Sequence, residues 1–370
     1  MSKPRLLIIQ LVCFTLSSVW GTAAARADEA LRRQIVEKGI RYLEEQGQAE
    51  DGSFSGSTGP AITALAATAL MKHGRSPEHP TVARALKYLE KFVRDDGGIY
   101  ADQSLHRNYE TAVAIQCFVE ANRDGRYAKI IDKAVSFLKG IQWDEGEGKD
   151  RTDFAYGGSG YGSHKRPDLS NTSFFVESLR AAGVPEDDPA IQRALVFISR
   201  CQNLESEHNR TPYAAKNPDG GFYYTPAPGQ SQAGETANGG LRSYASMTYA
   251  GLKSMIYAGV GPDDPRVKAA TEEIRKHYGL DDNPGLGQQG LYYYYHTFAK
   301  ALAALGVDQF TDAEGKVHDW RAELVRELAQ RQRPNGSWVN STTRWLEGDP
   351  NLVTSYALLA LAYCQPPKTR

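Results

Sequence analysis

Cysteine is scarce in this 370-residue chain: there are four, and one of them, Cys13, falls in an N-terminal leader. The other three, Cys117, Cys201 and Cys364, are an odd number set in helix-like stretches, with no Cys-x-x-Cys pair and no Cys/His cluster. That pattern speaks against a disulfide framework and against structural zinc. Net charge is equally scarce. The formal value is −1, and removing residues 1–27 takes away Lys3, Arg5 and Arg26 but no acid, leaving 40 bases against 44 acids. No basic face arises, which excludes nucleic acid as the expected partner. Beyond the leader, no run approaches the roughly 20 apolar residues that a membrane-spanning helix needs.

Lys3 and Arg5 precede a mostly apolar run from Leu6 to Val19, and Ala25-Arg26-Ala27 is a small-x-small cleavage site. Residues 1–27 therefore read as a cleaved signal peptide, with a retained anchor as the alternative, and residues 28–370 as one mature domain. No stable transmembrane segment is expected after cleavage. Export without disulfides fits a bacterial periplasmic or secreted protein.

What the mature chain does have is a repeat. A basic residue, usually followed by Ala, opens an amphipathic run; an apolar or aromatic pair follows, often a Gln, and then a Gly-x-aromatic turn. Lys38-Gly39 leads to Tyr42-Leu43, Gln46 and Gly52-Ser53-Phe54, and Arg84-Ala85 leads to Tyr88-Leu89 and Gly97-Gly98. Lys133-Ala134 leads to Phe137-Leu138, Gln142 and Gly157-Gly158, and Arg193-Ala194 to Phe197-Ile198, Gln202 and Gly220-Gly221-Phe222. Lys268-Ala269 opens a fifth copy with a drifted turn, and Arg321-Ala322 a sixth, with Gln332 and Gly336-Ser337-Trp338. Irregular spacing with a fixed internal order means repeats that carry loop insertions.

Each copy is followed by a more apolar helix, expected over 60–73, 108–122, 168–182, 241–258, 291–305 and 350–364. Gly74, Gly183, Gly259 and Gly306 close four of these, and Pro80, Pro189 and Pro265 open charged helices after them, which is C′ and N1 chemistry. One wet helix and one buried helix per copy predict an all-α (α/α)6 toroid of six helix-pair repeats, charged helices outside and apolar helices inside.

The basic–Ala–aromatic–Gln–Gly-x-Trp/Phe order resembles the QW motif of squalene and oxidosqualene cyclases and of protein prenyltransferase β subunits, over essentially all of residues 30–365. The resemblance implies an α/α toroid. It also implies structural roles for Gln46, Gln142, Gln202, Gln332, Phe54, Phe222 and Trp338: a helix-end cap for each Gln and packing under the next repeat for each aromatic. The catalytic signatures depart from the family. Pro167-Asp168-Leu169-Ser170-Asn171-Thr172 resembles the Asp-x-Asp-Asp-Thr motif of class II terpene cyclases, with Ser170 in place of the proton donor and Asn171 in place of the last Asp. A hydroxyl cannot protonate an alkene. Tyr295-His296 resembles the prenyltransferase segment whose His binds zinc, but Gly240 to Met247 carries neither the Asp nor the Cys of that site. A lone His does not hold catalytic zinc, so no metal and no cofactor are expected.

Every turn from an outer to an inner helix lies on one rim, with six inner-helix N-termini facing a single basin. The two longest insertions, 144–167 and 203–240, lie on the same rim. The candidate site is therefore the rim basin, with Asp168, His296 and Glu110 as catalytic candidates and Arg242, Tyr244, Tyr292 and Tyr295 as ligand-binding candidates. At least four of Asp168, Glu110, Arg242, Tyr244, Tyr292 and His296 should share one cavity. The partner class is a small-molecule or glycan ligand. Three functions remain open: a cyclase-like toroid binding a partly hydrophobic ligand, a secreted carbohydrate-active toroid enzyme, and a non-catalytic binding or scaffold protein. The sequence leaves the oligomeric state open.

Overall fold

The computed structural model describes residues 26–162 and 166–365. The signal-peptide reading falls almost wholly outside them. The first described helix, α1, runs over 26–42 and passes into a π turn at Leu43–Gly47. Eleven further helices follow: α2 (Ala61–Lys72), α3 (Pro80–Glu90), α4 (Arg107–Ala121), α5 (Ala128–Gly140), α6 (Leu169–Ala181), α7 (Pro189–Arg200), α8 (Ala245–Tyr257), α9 (Pro265–Lys276), α10 (Leu291–Ala304), α11 (Trp320–Arg331) and α12 (Pro350–Ala362). The only strands among the described residues form a two-residue hairpin, Phe310–Thr311 with Val317–His318.

The even-numbered helices pack side by side as a closed ring, α2 to α4, α6, α8, α10, α12 and back to α2. They are buried almost all round, and the odd-numbered helices form the wet outer layer. The expected toroid is thus present, and its closure is explicit. Gln332 Nε2 donates to the Ile35 carbonyl at 2.8 Å, His73 Nε2 meets the Leu358 carbonyl at 2.8 Å, and Asn351 Nδ2 donates to the Gly47 carbonyl at 3.1 Å. Each joins the last repeat to the first.

One device locks neighbouring repeats. Gln142 Nε2 donates both to the Gly157 carbonyl of its own turn and to the Ala190 carbonyl in the first turn of the next outer helix. Gln202 does the same with Gly220 and Arg266, and Gln332 with Gly336 and Ile35. In the first repeat the residue that does this is Gln48, to Gly52 and Thr81. Gln46 only accepts a long contact from Asn335; the π turn inserts one residue, so the locking Gln lies ten positions after Lys38 where Gln142 lies nine after Lys133.

In five of the turns a glycine lies so close to the next outer helix that a Cβ would collide with a backbone oxygen. That oxygen belongs to Arg84, Lys133, Arg193 and Lys38 in four contacts, and to Ala269 in the fifth. The fifth repeat therefore begins at Ala269, one residue later than the Lys268-Ala269 pair suggests. The fourth inner helix also differs from expectation. It starts at Ala245 rather than 241, because Leu241 is bridged to Glu235 in the preceding loop.

Candidate functional site

A cavity of about 400 Å3 opens on the rim at the N-terminal ends of the inner helices. Its wall carries four rings from four inner helices: Tyr109 on α4, Phe174 on α6, Tyr293 on α10 and Tyr356 on α12. Tyr109 packs edge-on against Phe174 at 5.0 Å between centroids, and Tyr293 packs against Phe174 at 6.2 Å and Tyr356 at 6.1 Å. The Tyr109 and Tyr356 hydroxyls lie 3.2 Å apart, and Ser170 Oγ lies 3.0 Å from the Tyr293 hydroxyl. Burial pushes the Tyr109 phenol up to about 12. The two long insertions add Tyr161, Tyr224 and Gln232, and the turn before α12 adds Trp345 and Leu346. Such a pocket, aromatic with a few convergent polar groups, suits a small organic ligand.

Of the seven candidates from the sequence, the structure brings two into this cavity, Glu110 and Tyr244, fewer than the four expected to share it. Glu110 is 3% exposed; its Oε2 accepts from the Ala101 N–H at 2.9 Å and its Oε1 from Ser104 Oγ at 2.8 Å. Burial holds its pKa above the ordinary glutamate range despite those bonds. Gly59, at φ +92°, passes so near that a Cβ would sit 2.9 Å from Glu110 Oε1.

The other five lie elsewhere, each for a local reason. Asp168 is fully buried as the N-cap of α6, with Oδ1 taking the Asn171 N–H at 2.9 Å and Oδ2 taking Asn171 Nδ2 at 2.8 Å. Asn171 and Ser170 stand on the cavity wall and Asp168 does not. Burial raises its carboxyl to about 6, against the pull of Asn171 and of Arg166 at 3.9 Å. His296 is about one helical turn deeper than Tyr293 and sits against Tyr356, with centroids 5.4 Å apart. It is buried and held neutral by desolvation and by Lys300 and Lys253. Tyr292 and Tyr295 face the outer layer. Their ring centroids are 5.7 Å apart, and the Tyr295 hydroxyl donates to the Leu280 carbonyl at 2.6 Å. One residue along a helix is a turn of about 100°, and Tyr293 is the residue that faces the axis. Arg242 precedes α8 instead of lying in its first turn; it is exposed, and its Nε donates to the Glu235 carbonyl at 3.0 Å.

Glu347 is a cavity residue that sequence reasoning missed. Its Oε1 accepts the Tyr292 and Tyr293 N–H groups at 2.9 and 2.8 Å and its Oε2 accepts Asn340 Nδ2 at 2.7 Å, so it caps α10 from another repeat. No local pattern marks a cap that comes from 55 residues away. Burial raises Glu347 to about 7. Among the described residues, no group of three or more His, Cys, Asp or Glu side chains is placed to hold a metal ion, and no helix is long and apolar enough to cross a membrane.

Below the aromatic layer the axis carries a second polar cluster. Glu177 of α6 pairs with Lys300 of α10 at 2.6 Å and also with Lys253 of α8, all three buried. Two lysines share one carboxylate, and burial lowers Lys300 to about 8 and Lys253 well below the ordinary lysine range.

Residues 57–225 match the squalene-hopene cyclase C-terminal domain family. In fold, the chain is similar to the type II terpene cyclase MstE from Scytonema, solved in complex with its product, merosterolic acid A. The TM-score is 0.56 at 14% identity, covering 91% of this chain and 98% of that one. It is also similar to a D-mannose isomerase, with TM-score 0.55 at 11% identity over 90% and 96% of the two chains. A glycosyl hydrolase family 88 protein from Bacteroides vulgatus gives TM-score 0.52 at 10% identity over 90% and 98%. No curated protein matches the chain in sequence.

Proposed function

We propose that this chain belongs to the terpene cyclase superfamily, a reading that its partial family match and its fold support, and that it is an exported binding protein that holds one partly hydrophobic small molecule in the rim cavity without cyclising it. The observation that carries this reading is the pairing of Ser170 with Tyr293. Protonating an alkene needs a carboxylic acid facing the ligand. Here the residue in that position is a serine hydrogen-bonded to a phenol, and the neighbouring carboxylate, Asp168, is turned into a helix cap. Five of seven candidate residues lie off the cavity, while aromatic rings dominate its wall. That combination supports binding over turnover. Export rests on Lys3, Arg5, the apolar run Leu6 to Val19 and Ala25-Arg26-Ala27; the mature protein should begin at Asp28 on N-terminal sequencing. The test of binding without chemistry is incubation with geranylgeraniol, extraction and gas chromatography. The prenol should be retained by the protein and recovered unchanged; recovery of a cyclised product contradicts the reading.

One observation favours a second reading. Glu110 is a buried carboxyl on the cavity wall, held by two hydrogen bonds and biased towards its protonated form, as a general acid requires. The D-mannose isomerase and the family 88 glycosyl hydrolase share the fold, so a carbohydrate-active enzyme with Glu110 as its acid is the alternative. Its signature is turnover of a glycan that Glu110→Gln abolishes while leaving the melting temperature in place.

A further inference from the structure

The fifth repeat breaks a rule that four others keep. Four residues after the repeat start, the first four outer helices place a buried ring, Tyr42, Tyr88, Phe137 and Phe197, whereas the sixth, counted from Arg321, places Val325. In the second to fourth repeats that ring lies beneath the turn of the preceding repeat, with the Phe137 and Phe197 rings within 3 Å of where a Cβ on Gly98 or Gly158 would be. Counting from Ala269, the equivalent position is Glu273, whose Cγ lies beneath Gly221 in the same way. A carboxylate fills less space than a ring, and a pocket of about 330 Å3 is found there.

This pocket is separate from the rim cavity, and Tyr244 is the wall common to both. Its polar groups are rich in acceptors. Glu273 is 8% exposed; His277 lies 3.2 Å and Lys276 3.7 Å from its carboxylate, and Ser243 acts on it from within the pocket. Asp219 accepts from Ser243 Oγ, the Gly221 N–H and Asn217 Nδ2. Tyr249 belongs to the same wall and is 1% exposed, yet its hydroxyl has no hydrogen-bond partner among the described residues. The neighbouring Tyr294 hydroxyl donates to the Gly279 carbonyl instead. Buried polar atoms are normally satisfied, so a buried hydroxyl without a partner beside two carboxylates in an open pocket points to a missing polar ligand. The two carboxylates fall short of the three or more side chains that a metal ion would need here, and an organic cation asks for no such cage.

We propose that this pocket is a second ligand site, for a small aliphatic ammonium. The ammonium supplies three N–H donors to Glu273, Asp219 and the Tyr249 oxygen, and its carbon chain lies against Tyr244 and Ile274. Arg242 and His277 also line the pocket, and the ammonium displaces His277 Nε2 from its place 3.2 Å from Glu273 Oε1. The Glu273 carboxyl is raised to about 7, first by burial and then by Asp219, so binding strengthens as pH rises from about 6 to about 8.

The test is calorimetric titration with n-butylammonium, with n-butanol as the neutral control of equal shape. The wild-type chain should bind n-butylammonium saturably at one site and n-butanol not at all. Glu273→Phe introduces the ring of the first four repeats and should weaken n-butylammonium binding at least tenfold, while geranylgeraniol binding in the rim cavity is unchanged. Glu273→Gln keeps the volume and should weaken it in the same direction, which covers the case in which the Phe variant does not fold. Equal binding of amine and alcohol, undiminished binding by both variants, or no saturable binding by the wild type would each overturn the proposal. None of these outcomes depends on whether the rim cavity holds a prenol.

Discussion

Ser170 Oγ and the Tyr293 hydroxyl lie 3.0 Å apart on the cavity wall, joining α6 to α10 at the position where the motif that residues 168–172 resemble has its acid. The two neutral hydroxyls satisfy each other, so the acidic groups left on the cavity wall are the carboxyls of Glu110 and Glu347.

The axial cluster gives an asymmetric prediction. Glu177→Gln leaves Lys253 and Lys300 buried without a counter-charge and should destabilise by about 3–5 kcal/mol. Lys253→Met leaves Glu177 and Lys300 as a balanced pair and should be neutral or stabilising. The lysines' pKa values are lowered on folding, so the unfolded chain binds more protons between the folded value, about 8 for Lys300, and the ordinary lysine range. Wild-type stability from this cluster should therefore rise with pH over that window. Urea titrations of the three proteins at about pH 7 and about pH 9.5 check both signs.

Glu347 has the opposite slope. Its folded pKa of about 7 is above its ordinary value near 4.5, so the folded chain holds the proton more tightly and stability falls as pH rises between the two. Glu347→Gln keeps an acceptor for the Tyr292 and Tyr293 N–H groups and should flatten that part of the profile. Glu347→Ala leaves both donors buried and should cost about 1–3 kcal/mol at any pH. Melting temperatures from about pH 4 to about pH 8 separate the two variants.

The repeat locks make a third prediction. Arg84 and Arg193 donate to the Oε1 atoms of Gln48 and Gln142, but position 269 is alanine and Gln202 Oε1 is buried without a partner among the described residues. Ala269→Arg should stabilise by about 0.5–1.5 kcal/mol, the worth of one added hydrogen bond. Trp338 is fully buried, with its Nε1 donating to the Leu328 carbonyl at 2.8 Å, and Trp338→Ala should cost about 3–5 kcal/mol. Chemical denaturation measures both.

The fold was legible because its signals are local and repeated. Pro189 and Pro265 open outer helices behind Asp caps, Gly183 and Gly259 close the inner helices before them at positive φ, and six apolar stretches stay buried almost all round. The site was legible in depth but not in azimuth. Tyr293 rather than Tyr292 faces the axis, and Ser170 and Asn171 rather than Asp168 face the cavity. A helix with rings at four successive positions gives no periodicity from which to choose the inward one. Arg242 was misplaced because a loop that bridges Leu241 to Glu235 delays the helix start. Glu347 and the axial lysines depend on contacts between distant repeats, which no single window of sequence contains.

Trp345, half exposed at the cavity mouth, offers the most direct measurement of the central claim. Titrating the protein with geranylgeraniol while recording tryptophan fluorescence should give a saturable change with a stoichiometry of one, lost in Trp345→Phe. Ser170→Trp, which fills the cavity from α6, should abolish binding by equilibrium dialysis without lowering the melting temperature by more than a few degrees. If the prenol binds Ser170→Trp as tightly as the wild type, the ligand is not in the rim cavity and the account of this protein as a cavity-binding toroid is contradicted.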